Sequence, residues 1–556
     1  MTVADRQRNE KRPTWVRRSL GWCRIRRPGT LSPDPWHFAL FASGMDMARL
    51  TVGGPMSASR PALSDISQRT KQQPIMGLIP SIMPLAQCEK CQGFGDGVPK
   101  RRETAQNANG PEKSVFSKSV VAAAILLTTA LAIIASAQQE PNEPQEQQEK
   151  QEKRNAVREF LEKLDTEYHG FYETRVGTRV LDDPYERKDL SIGEARYQFD
   201  LFSSRDWGDI KVKGDAYGDF VEEQADFDLR EANVFLRPSD SVDLKIGRQV
   251  LTWGTGDLIF INDLFPKDWI SFFIGRDTEY LKAPSDAVKV SLFSDAANLD
   301  VVYTPEFDSD RYITGDRLSY WNPILGRTAG EDDEMMISRR REFFEEDETA
   351  IRLYRNIKNY ELALYGYWGY WKSPAGFNEA LTRATFPELY VYGASARGTV
   401  GKGIANAEIG YYDSVEDRSG DDPLINNSEM RYLVGYTQEI ARDFTAGVQY
   451  YIEQLLDYGD YEDSLAPGNP SRDEFRHLTS LRLTKLLMNQ NLMLSLFTYY
   501  CPSDEDVYMR PMVNYKASDQ LMYEVGANVF FGDERHTFFN QFHNNTNIYF
   551  GVRYSF

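Results

Sequence analysis

The chain has 556 residues, of which 64 are Lys or Arg and 83 are Asp or Glu, and its formal net charge is −19. This negative charge argues against broad nucleic-acid binding, because recognition of phosphates relies on basic surface. With 26% charged and 41% hydrophobic residues, the chain is too polar for a polytopic helical membrane protein, which needs several apolar runs of about 20 residues.

The first 112 residues show no clear hydrophobic periodicity and carry clusters of Arg and Pro, such as residues 11–18. We interpret residues 1–112 as a doubtful N-terminal extension that is absent from the mature protein. They contain Cys88 and Cys91, but a single C-x-x-C without a second pair is a weak signal for a metal or redox site. The sequence therefore predicts no metal and no cofactor.

The next segment, residues 113–137, has the organisation of a secretory signal peptide. Lys113 and Lys118 precede a long apolar run, which ends with Ala135 and Ala137 in the small-x-small pattern that signal peptidase accepts. The alternative is a single transmembrane anchor, because the run is nearly long enough to span a bilayer. We expect cleavage after Ala137, once the chain has passed through the inner membrane.

Residues 138–166 are predicted to form a polar linker with a short helix, because Gln, Glu and Pro dominate its first half. Residues 167–556 form the remaining domain, in which hydrophobicity alternates with a period of two. Only Cys501 of the four cysteines lies in this part, so the mature chain is predicted to contain no intramolecular disulfide.

The alternation is clearest in the last eleven residues of the chain. An apolar face that includes Ile548 and Phe550 alternates with a face that includes Tyr549 and Arg553. Segments of about ten residues with this pattern are the signature of transmembrane β-strands, which are apolar toward lipid and polar toward the lumen. About eighteen strands (in the range of roughly 16–18) are predicted. They lie near residues 169–180, 190–204, 209–221, 226–238, 241–254, 286–294, 297–307, 348–358, 360–373, 387–401, 403–414, 428–440, 443–456, 474–488, 490–501, 507–517, 521–532 and 546–556.

The connections between these predicted strands mostly alternate in length. Short ones such as 238–241 alternate with long ones such as 255–285 and 308–347. Short periplasmic turns and long external loops are typical of bacterial outer-membrane barrels. The predicted fold class is therefore all-β, a transmembrane antiparallel up-and-down β-barrel. A soluble all-β protein also alternates, but it does not need a lipid-facing excess of aromatic residues.

Two segments resemble parts of known outer-membrane proteins. The final strand, with Tyr554 and the terminal Phe556, resembles the assembly signal of Gram-negative outer-membrane barrel proteins. Residues 244–257, which contain Gly-Arg-Gln, together with residues 262–266 resemble a segment of uncharacterised porin-like and alginate-export-type barrels. The resemblance implies a bacterial outer-membrane location, contact with outer-membrane lipid and lipopolysaccharide, and insertion by the barrel-assembly machinery.

A barrel of about eighteen strands encloses a lumen that its own side chains cannot fill. Residues 255–285 are the predicted constriction, because an apolar connection of this length is an aggregation hazard in solvent and is buried if it folds inward. The alternative is an external loop that packs on its neighbours.

Charged side chains at the narrowest point determine pore selectivity. Arg248 falls on the lipid-facing side of its strand, where a charge near mid-membrane costs about 2–4 kcal/mol, so we predict a bulge at Gly247 that turns it inward. The alternative for all these charges is a solvated wall with interstrand ion pairs. The predicted pore-lining and constriction residues are Arg196, Arg248, Asp257, Asp263, Glu453, Arg482 and Arg553.

These features predict a porin-like channel for passive diffusion of small-molecule solutes, without enzymatic activity. One alternative is a barrel for uptake or export of apolar molecules or polysaccharide, since aromatic faces stack on both. A lesser alternative is an outer-membrane hydrolase that uses His477 with Asp473 and Ser480, although no nucleophile motif accompanies them. The sequence leaves open whether the protein forms a homo-oligomer.

The signal-peptide interpretation predicts that the mature protein begins at Gln138, the residue after the cleavage site. Mass spectrometry of the protein from native cells should find this N-terminus. Peptides from residues 1–100 in the same cells would contradict the interpretation.

Overall fold

A computed structural model describes residues 165–467 and 469–556 of the chain. The predicted N-terminal extension, the signal peptide and residues 138–164 of the linker lie outside the described residues. Most of the described chain forms β-strands. No helix within it combines the length and the apolar character that a membrane span requires.

Eighteen strands form one antiparallel sheet, and their bounds agree with the predicted strands within a few residues. They are β1 (Thr166–Arg179), β2 (Leu190–Arg205), β3 (Gly208–Asp219), β4 (Gln224–Ser239), β5 (Val242–Val250), β6 (Pro284–Leu292), β7 (Asn298–Thr304), β10 (Glu348–Ile357), β11 (Tyr360–Tyr370), β14 (Glu388–Val400), β15 (Gly403–Ser414), β16 (Glu429–Ala441), β17 (Phe444–Leu455), β18 (Phe475–Leu487), β19 (Leu492–Cys501), β20 (Asp506–Lys516), β21 (Leu521–Gly532) and β22 (Asn547–Ser555). The connections contain two short hairpins, β8 (Tyr320–Asn322) with β9 (Arg327–Ala329) and β12 (Gly376–Phe377) with β13 (Ala384–Thr385), and two short helices, α1 (Trp269–Ile274) and α2 (Tyr458–Ser464).

The sheet closes on itself because the first strand, β1, pairs with the last strand, β22. The register runs from Phe171 opposite Ser555 to Arg179 opposite Asn547, and it is antiparallel. Closure leaves no strand edge with unpaired backbone groups, which is the condition for a sheet surrounded by lipid. The predicted antiparallel up-and-down barrel is confirmed.

The connections alternate between the two ends of the barrel. Eight short turns lie at the end where β1 begins and β22 ends, and nine connections, most of them longer, lie at the other end. We call these the short-turn end and the long-connection end. The two longest connections are residues 251–283 and residues 305–347. The first begins four residues earlier than predicted, because β5 ends at Val250.

The two faces of the barrel wall differ in chemistry. In β22, Ile548 on the outer face is 48% exposed, whereas the next residue, Tyr549 on the inner face, is 3% exposed. Exposed apolar side chains recur around the outside of the ring. They include Ile246, Leu353, Leu364, Val434, Val448, Leu481, Val513 and Val525. Soluble monomers rarely expose large contiguous apolar surfaces, so this outer face is suited to contact with lipid.

The last residue of the chain completes the closing pair of strands. The Phe556 N–H donates to the Gly170 carbonyl at 3.0 Å, and the Gly170 N–H donates to the Phe556 carbonyl at 3.3 Å. Glycine is required there, because a Cβ at position 170 would clash with the backbone carbonyl oxygen of Gln198. The Tyr554 hydroxyl donates to Gln520 at 3.2 Å. Recognition of Tyr554 and Phe556 by the barrel-assembly machinery stays a prediction.

Replacement of Leu364 by Arg should lower the free energy of unfolding by about 2–4 kcal/mol, because a charge on the lipid face is most costly near mid-membrane. Leu364 lies in the middle of β11 and is 58% exposed. Val400→Arg is the matched control, since Val400 is 45% exposed but ends β14 beside a short turn, where the cost falls to about 0–1 kcal/mol. Urea unfolding in phospholipid vesicles measures both. Equal effects of the two substitutions would show that lipid does not cover the middle of this face.

Candidate functional site

The connection from β5 to β6, residues 251–283, lies inside the ring of strands, and we call it the internal segment. Its apolar side chains are buried, among them Trp253, Ile261 and Phe272. It is hydrogen-bonded to β1, β2, β4, β15, β17, β18, β19, β20 and β22. These strands lie on opposite sides of the barrel, so the segment that reaches them crosses the interior.

Glu408 of β15 holds the first half of the internal segment. Its carboxylate accepts hydrogen bonds from the backbone N–H groups of Thr255, Gly256 (2.7 Å) and Asn262 (3.3 Å). It also accepts from the side-chain amide of Asn262 at 2.8 Å. Glu408 is 5% exposed. Four N–H donors therefore replace the water that a buried carboxylate would otherwise need.

Two of the predicted site residues, Asp257 and Arg482, meet at the inner face of β18. Arg482 donates from Nε to Asp257 Oδ2 at 2.5 Å and from Nη2 to Oδ1 at 2.8 Å. Gln449 binds both the N–H and the carbonyl of Asp257. The Arg482 and Asp257 side chains are 34% and 45% exposed. This bidentate pair therefore faces an open part of the lumen, unlike the buried Glu408.

A hydrogen bond from a guanidinium and an ion pair hold the second half of the internal segment on the opposite wall. Arg175 of β1 donates to the Gly275 carbonyl at 2.7 Å, and Arg276 of the segment pairs with Glu194 of β2 at 2.5 Å. Both contacts are buried, so they are screened little by salt.

Arg553, a further predicted site residue, joins the same wall. It pairs with Asp277 of the internal segment at 3.0 Å and with Glu173 of β1 at 2.8 Å. Its guanidinium also lies over the Phe171 ring, 4.2 Å from the ring centroid. The structure thus places Arg553 at a junction between β22, β1 and the internal segment.

Arg196 and Asp263, both predicted to line the pore, are buried in ion pairs. Arg196 binds Glu194 at 2.8 Å and Asp215 at 3.1 Å, and it is 5% exposed. Asp263 binds Lys267 at 3.0 Å and is 6% exposed. Their contacts position the internal segment and the wall beneath it.

The predicted bulge at Gly247 is wrong. β5 pairs with β4 and with β6 without a register shift at Gly247, and Arg248 lies opposite Asp286. The Arg248 guanidinium binds the Asp286 carboxylate at 2.9 Å, and the Asp286 side chain is 58% exposed. Arg248 therefore stays on the same face as Ile246, where a cross-strand carboxylate compensates its charge.

The connection from β7 to β10, residues 305–347, covers part of the lumen at the long-connection end. Arg317 is 4% exposed, and it binds Asp219 of β3 at 2.5 Å. Arg179 of β1 donates to the Arg317 carbonyl at 2.6 Å. The sequence predicted only a long external loop here, because these partners lie 98 and 138 residues away along the chain.

A cavity of about 780 Å³ lies beside the internal segment at the long-connection end. Its floor is the apolar side of the segment, where Phe260 and Trp269 are only partly buried. Glu453, a predicted site residue, lies in its wall. The remaining wall residues come from strands and connections that are distant in the chain, so no local sequence signal identifies the cavity.

A chain of ion pairs runs along the cavity wall. Arg472 binds Glu453 at 2.8 Å and Glu429 at 3.1 Å. Arg431 binds Glu429 at 2.6 Å, and its guanidinium lies 3.9 Å from the centroid of the Tyr412 ring. Each carboxylate is thus matched to a guanidinium, and both kinds of group face the cavity.

The inner wall near the short-turn end carries alternating charges on strands β2 to β11, and we call this set the charged belt. Its side chains are accessible to water, since Lys211 is 33% exposed and Lys245 is 27% exposed. The pairs are Lys211 with Asp200 (3.9 Å), Lys211 with Glu231 (2.8 Å), Lys245 with Glu231 (3.7 Å), Lys289 with Asp300 (3.3 Å) and Arg352 with Glu361 (2.7 Å).

The residues considered for a hydrolase are not brought together. His477 contacts the Tyr450 hydroxyl at 2.8 Å in an exposed position, whereas Ser480 is buried and binds Gln449 at 2.9 Å. His477 and Ser480 are three residues apart on β18, so they project from opposite faces of the wall.

One group of possible metal ligands has an explanation without a metal. Cys501, Asp504 and Asp506 place three ligand atoms within 4.8 Å of one another. Arg476 pairs with Asp504 at 2.6 Å, and the Cys501 thiol donates to Asp504 at 3.1 Å. An ion pair and a hydrogen bond therefore account for the arrangement.

Comparison with known proteins returns similar solved structures only. No protein-family model matches the chain, and no curated protein matches it significantly. OccAB3 of Acinetobacter baumannii has a TM-score of 0.42 and 11% identity, with 70% of this chain and 99% of that chain covered. OccD3 (OpdP) of Pseudomonas aeruginosa has a TM-score of 0.41 and 10% identity, with 70% and 91% covered. OmpF of Salmonella typhi, in complex with daunomycin, has a TM-score of 0.37 and 9% identity, with 70% and 97% covered.

The pairing of the strands, and not the similarity to other proteins, defines the structural class of the described chain. The described chain is a closed antiparallel barrel of eighteen strands. Its interior contains a buried connection, a cavity and a charged belt.

Glu186 lies in the connection from β1 to β2, against the covering connection 305–347. Burial raises the pKa of its carboxyl to about 8, although Arg179, 3.7 Å away, opposes the increase. Asp183 and Glu331 add negative charge nearby, and the Glu331 N–H donates to the Tyr185 carbonyl at 3.2 Å. Ionisation of Glu186 therefore acts against the contact between the two connections.

The contact should weaken as the pH rises. The pKa of Glu186 in the folded protein lies above its ordinary value of 4.5, so the folded state retains a proton that the separated connection releases. Stability is consequently lost progressively between pH 4.5 and about 8. Hydrogen exchange of peptides from 316–331, corrected for intrinsic rates, should show falling protection over this range, and Glu186→Gln should abolish the fall. The same pH dependence in both proteins would exclude Glu186 as its origin.

Proposed function

We propose that the protein is an outer-membrane channel for passive diffusion of small solutes, narrowed by the internal segment. The observation that carries the proposal is the position of residues 251–283, which are bonded to strands on opposite sides of a closed barrel. A barrel of eighteen strands is wide enough for an aqueous channel. A connection that is anchored across the lumen reduces the width of the channel without blocking it.

The charged belt supports a hydrated lumen. The side chains of Lys211 and Lys245 point into the barrel but remain 33% and 27% exposed, respectively. Ionised groups in this position need water or permeating ions beside them. Acids and bases alternate along the belt, so a solute that passes it meets both signs of charge.

The exposed apolar outer face supports placement in the outer membrane. The partners in this proposal are outer-membrane lipid, lipopolysaccharide, the barrel-assembly machinery and the permeating solute, and the channel has no enzymatic activity, no cofactor and no nucleic-acid partner. Self-association is a separate question, for which sedimentation in detergent is the direct measurement.

A second candidate function is uptake or export of apolar molecules or polysaccharide. The cavity beside the internal segment favours it, because Phe260 and Trp269 form an aromatic floor there. Both functions use the same barrel, and they differ in whether the cavity binds the solute before it passes.

Reconstitution in planar bilayers tests the channel. The wild-type protein should conduct, and Glu408→Ala should raise the single-channel conductance at least about twofold, because four hydrogen bonds that hold residues 255–262 inside the barrel are lost. Asn262→Ala removes only part of this contact and should have a smaller effect in the same direction.

Arg248→Gln is the matched control for these substitutions. Arg248 pairs with Asp286 on the outer face, so its neutralisation should leave the conductance unchanged. If the wild-type protein does not conduct, the proposal of a channel is refuted. If the Glu408→Ala protein folds and conducts like the wild type, the proposal that the internal segment narrows the channel is refuted.

A further inference from the structure

The cavity beside the internal segment has an aromatic floor that is open to solvent. Phe260 and Trp269 line it at a ring-centroid separation of 6.1 Å, and both are only partly buried. The indole N–H of Trp269 is held by Asp310 at 3.0 Å, so the orientation of the ring is fixed. Fixed, partly exposed rings offer apolar faces on which a flat ligand can stack.

The walls of the cavity carry hydrogen-bond donors whose capacity is not used. Among the residues that the structure describes, the buried indole N–H of Trp371 and the buried Nη2 group of Arg476 find no hydrogen-bond partner, although both residues lie in the cavity wall. Buried donors without partners are costly. Arg472 is 42% exposed beside them. These groups require oxygen acceptors, which an alkyl chain or an organic cation does not provide.

The rim of the cavity is acidic. Asp473, Glu505, Asp533 and Glu534 line it, and all four are exposed. The ion pairs found within the described residues involve none of them, whereas the carboxylates deeper in the wall, such as Glu453, are paired with arginine. An unpaired negative rim repels anions as they approach. The acceptor that reaches the unused donors is therefore uncharged.

We propose that this cavity binds neutral saccharides, an inference that rests on the proposed channel function and names its solute class. A sugar ring stacks on the floor formed by Phe260 and Trp269. Its hydroxyl oxygens accept from Trp371 and the arginines of the wall, while its hydroxyl protons are donated to carboxylates such as Glu453. The volume of about 780 Å³ is of the size of known ligand sites and accommodates several sugar units.

Isothermal titration of the full-length protein in detergent tests the site without any need for conduction. The probes are maltotriose, which is neutral, trigalacturonate, which is anionic, and benzyltrimethylammonium, which is an aromatic cation. Maltotriose should bind saturably and at least about tenfold more tightly than either charged probe, since stacking and hydrogen bonds act together only for the neutral sugar.

Four variants separate the contributions of the aromatic floor, the Trp371 N–H and the acidic rim to ligand binding. Phe260→Leu keeps apolar volume but removes a ring, and it should weaken maltotriose binding at least about fivefold. Trp371→Phe keeps the ring but removes the N–H, and it should weaken binding about threefold to tenfold. The double variant Glu505→Gln/Glu534→Gln should strengthen trigalacturonate binding at low salt and leave maltotriose unchanged. Trp207→Phe, in a short turn at 55% exposure, is the control and should change nothing.

The outcomes distinguish this inference from the channel itself. Tighter binding of trigalacturonate or of benzyltrimethylammonium than of maltotriose would overturn the neutral-saccharide site. So would maltotriose binding that Phe260→Leu and Trp371→Phe leave unchanged. If the protein conducts in bilayers but binds no maltotriose, the saccharide site is refuted and the channel stands. If it binds maltotriose but does not conduct, the channel is refuted and the saccharide site stands.

Discussion

Pairing of the first strand with the last is the contact on which the rest of the molecule depends. When β1 binds β22, the ring of strands closes and no sheet edge remains. Closure also assigns each side chain of the wall to the outside or to the lumen. Ile548 and Tyr549, neighbours in β22, thereby enter opposite environments. Apolar residues outside require lipid, and polar residues inside require partners within the lumen.

The internal segment provides many of those partners. Removal of one member of a buried ion pair is costly, because the remaining charge is left without compensation. Arg175 and Arg553 point inward from the wall, and the segment offers them the Gly275 carbonyl and the Asp277 carboxylate. The apolar side chains of the segment are buried by the same placement. Wall and segment thus satisfy one another's polar groups.

Local sequence patterns predicted the barrel but not the contacts inside it. Strand positions, connection lengths and the predicted burial of an apolar connection all follow from patterns of ten to thirty residues, and the eighteen strands agree with them. The pairing of Asp257 with Arg482 joins residues 225 positions apart, and nothing local indicates it. Arg248 shows the same limit, because the bulge was inferred from its charge alone, whereas Asp286 on the next strand compensates that charge.

The two halves of the internal segment are held by interactions of different kinds. The second half is attached to β2 and β22 by largely buried ion pairs and to β1 by a hydrogen bond from Arg175 to the Gly275 carbonyl, and salt screens such buried contacts little. The first half is attached by hydrogen bonds to Glu408 and by the exposed pair of Asp257 with Arg482, and exposed pairs contribute only about 0–1 kcal/mol. The first half is therefore held by one buried, charge-assisted contact and one solvent-exposed contact. Since Phe260 of the first half also lines the cavity, a ligand in the cavity contacts the half of the internal segment that Glu408 and Arg482 hold.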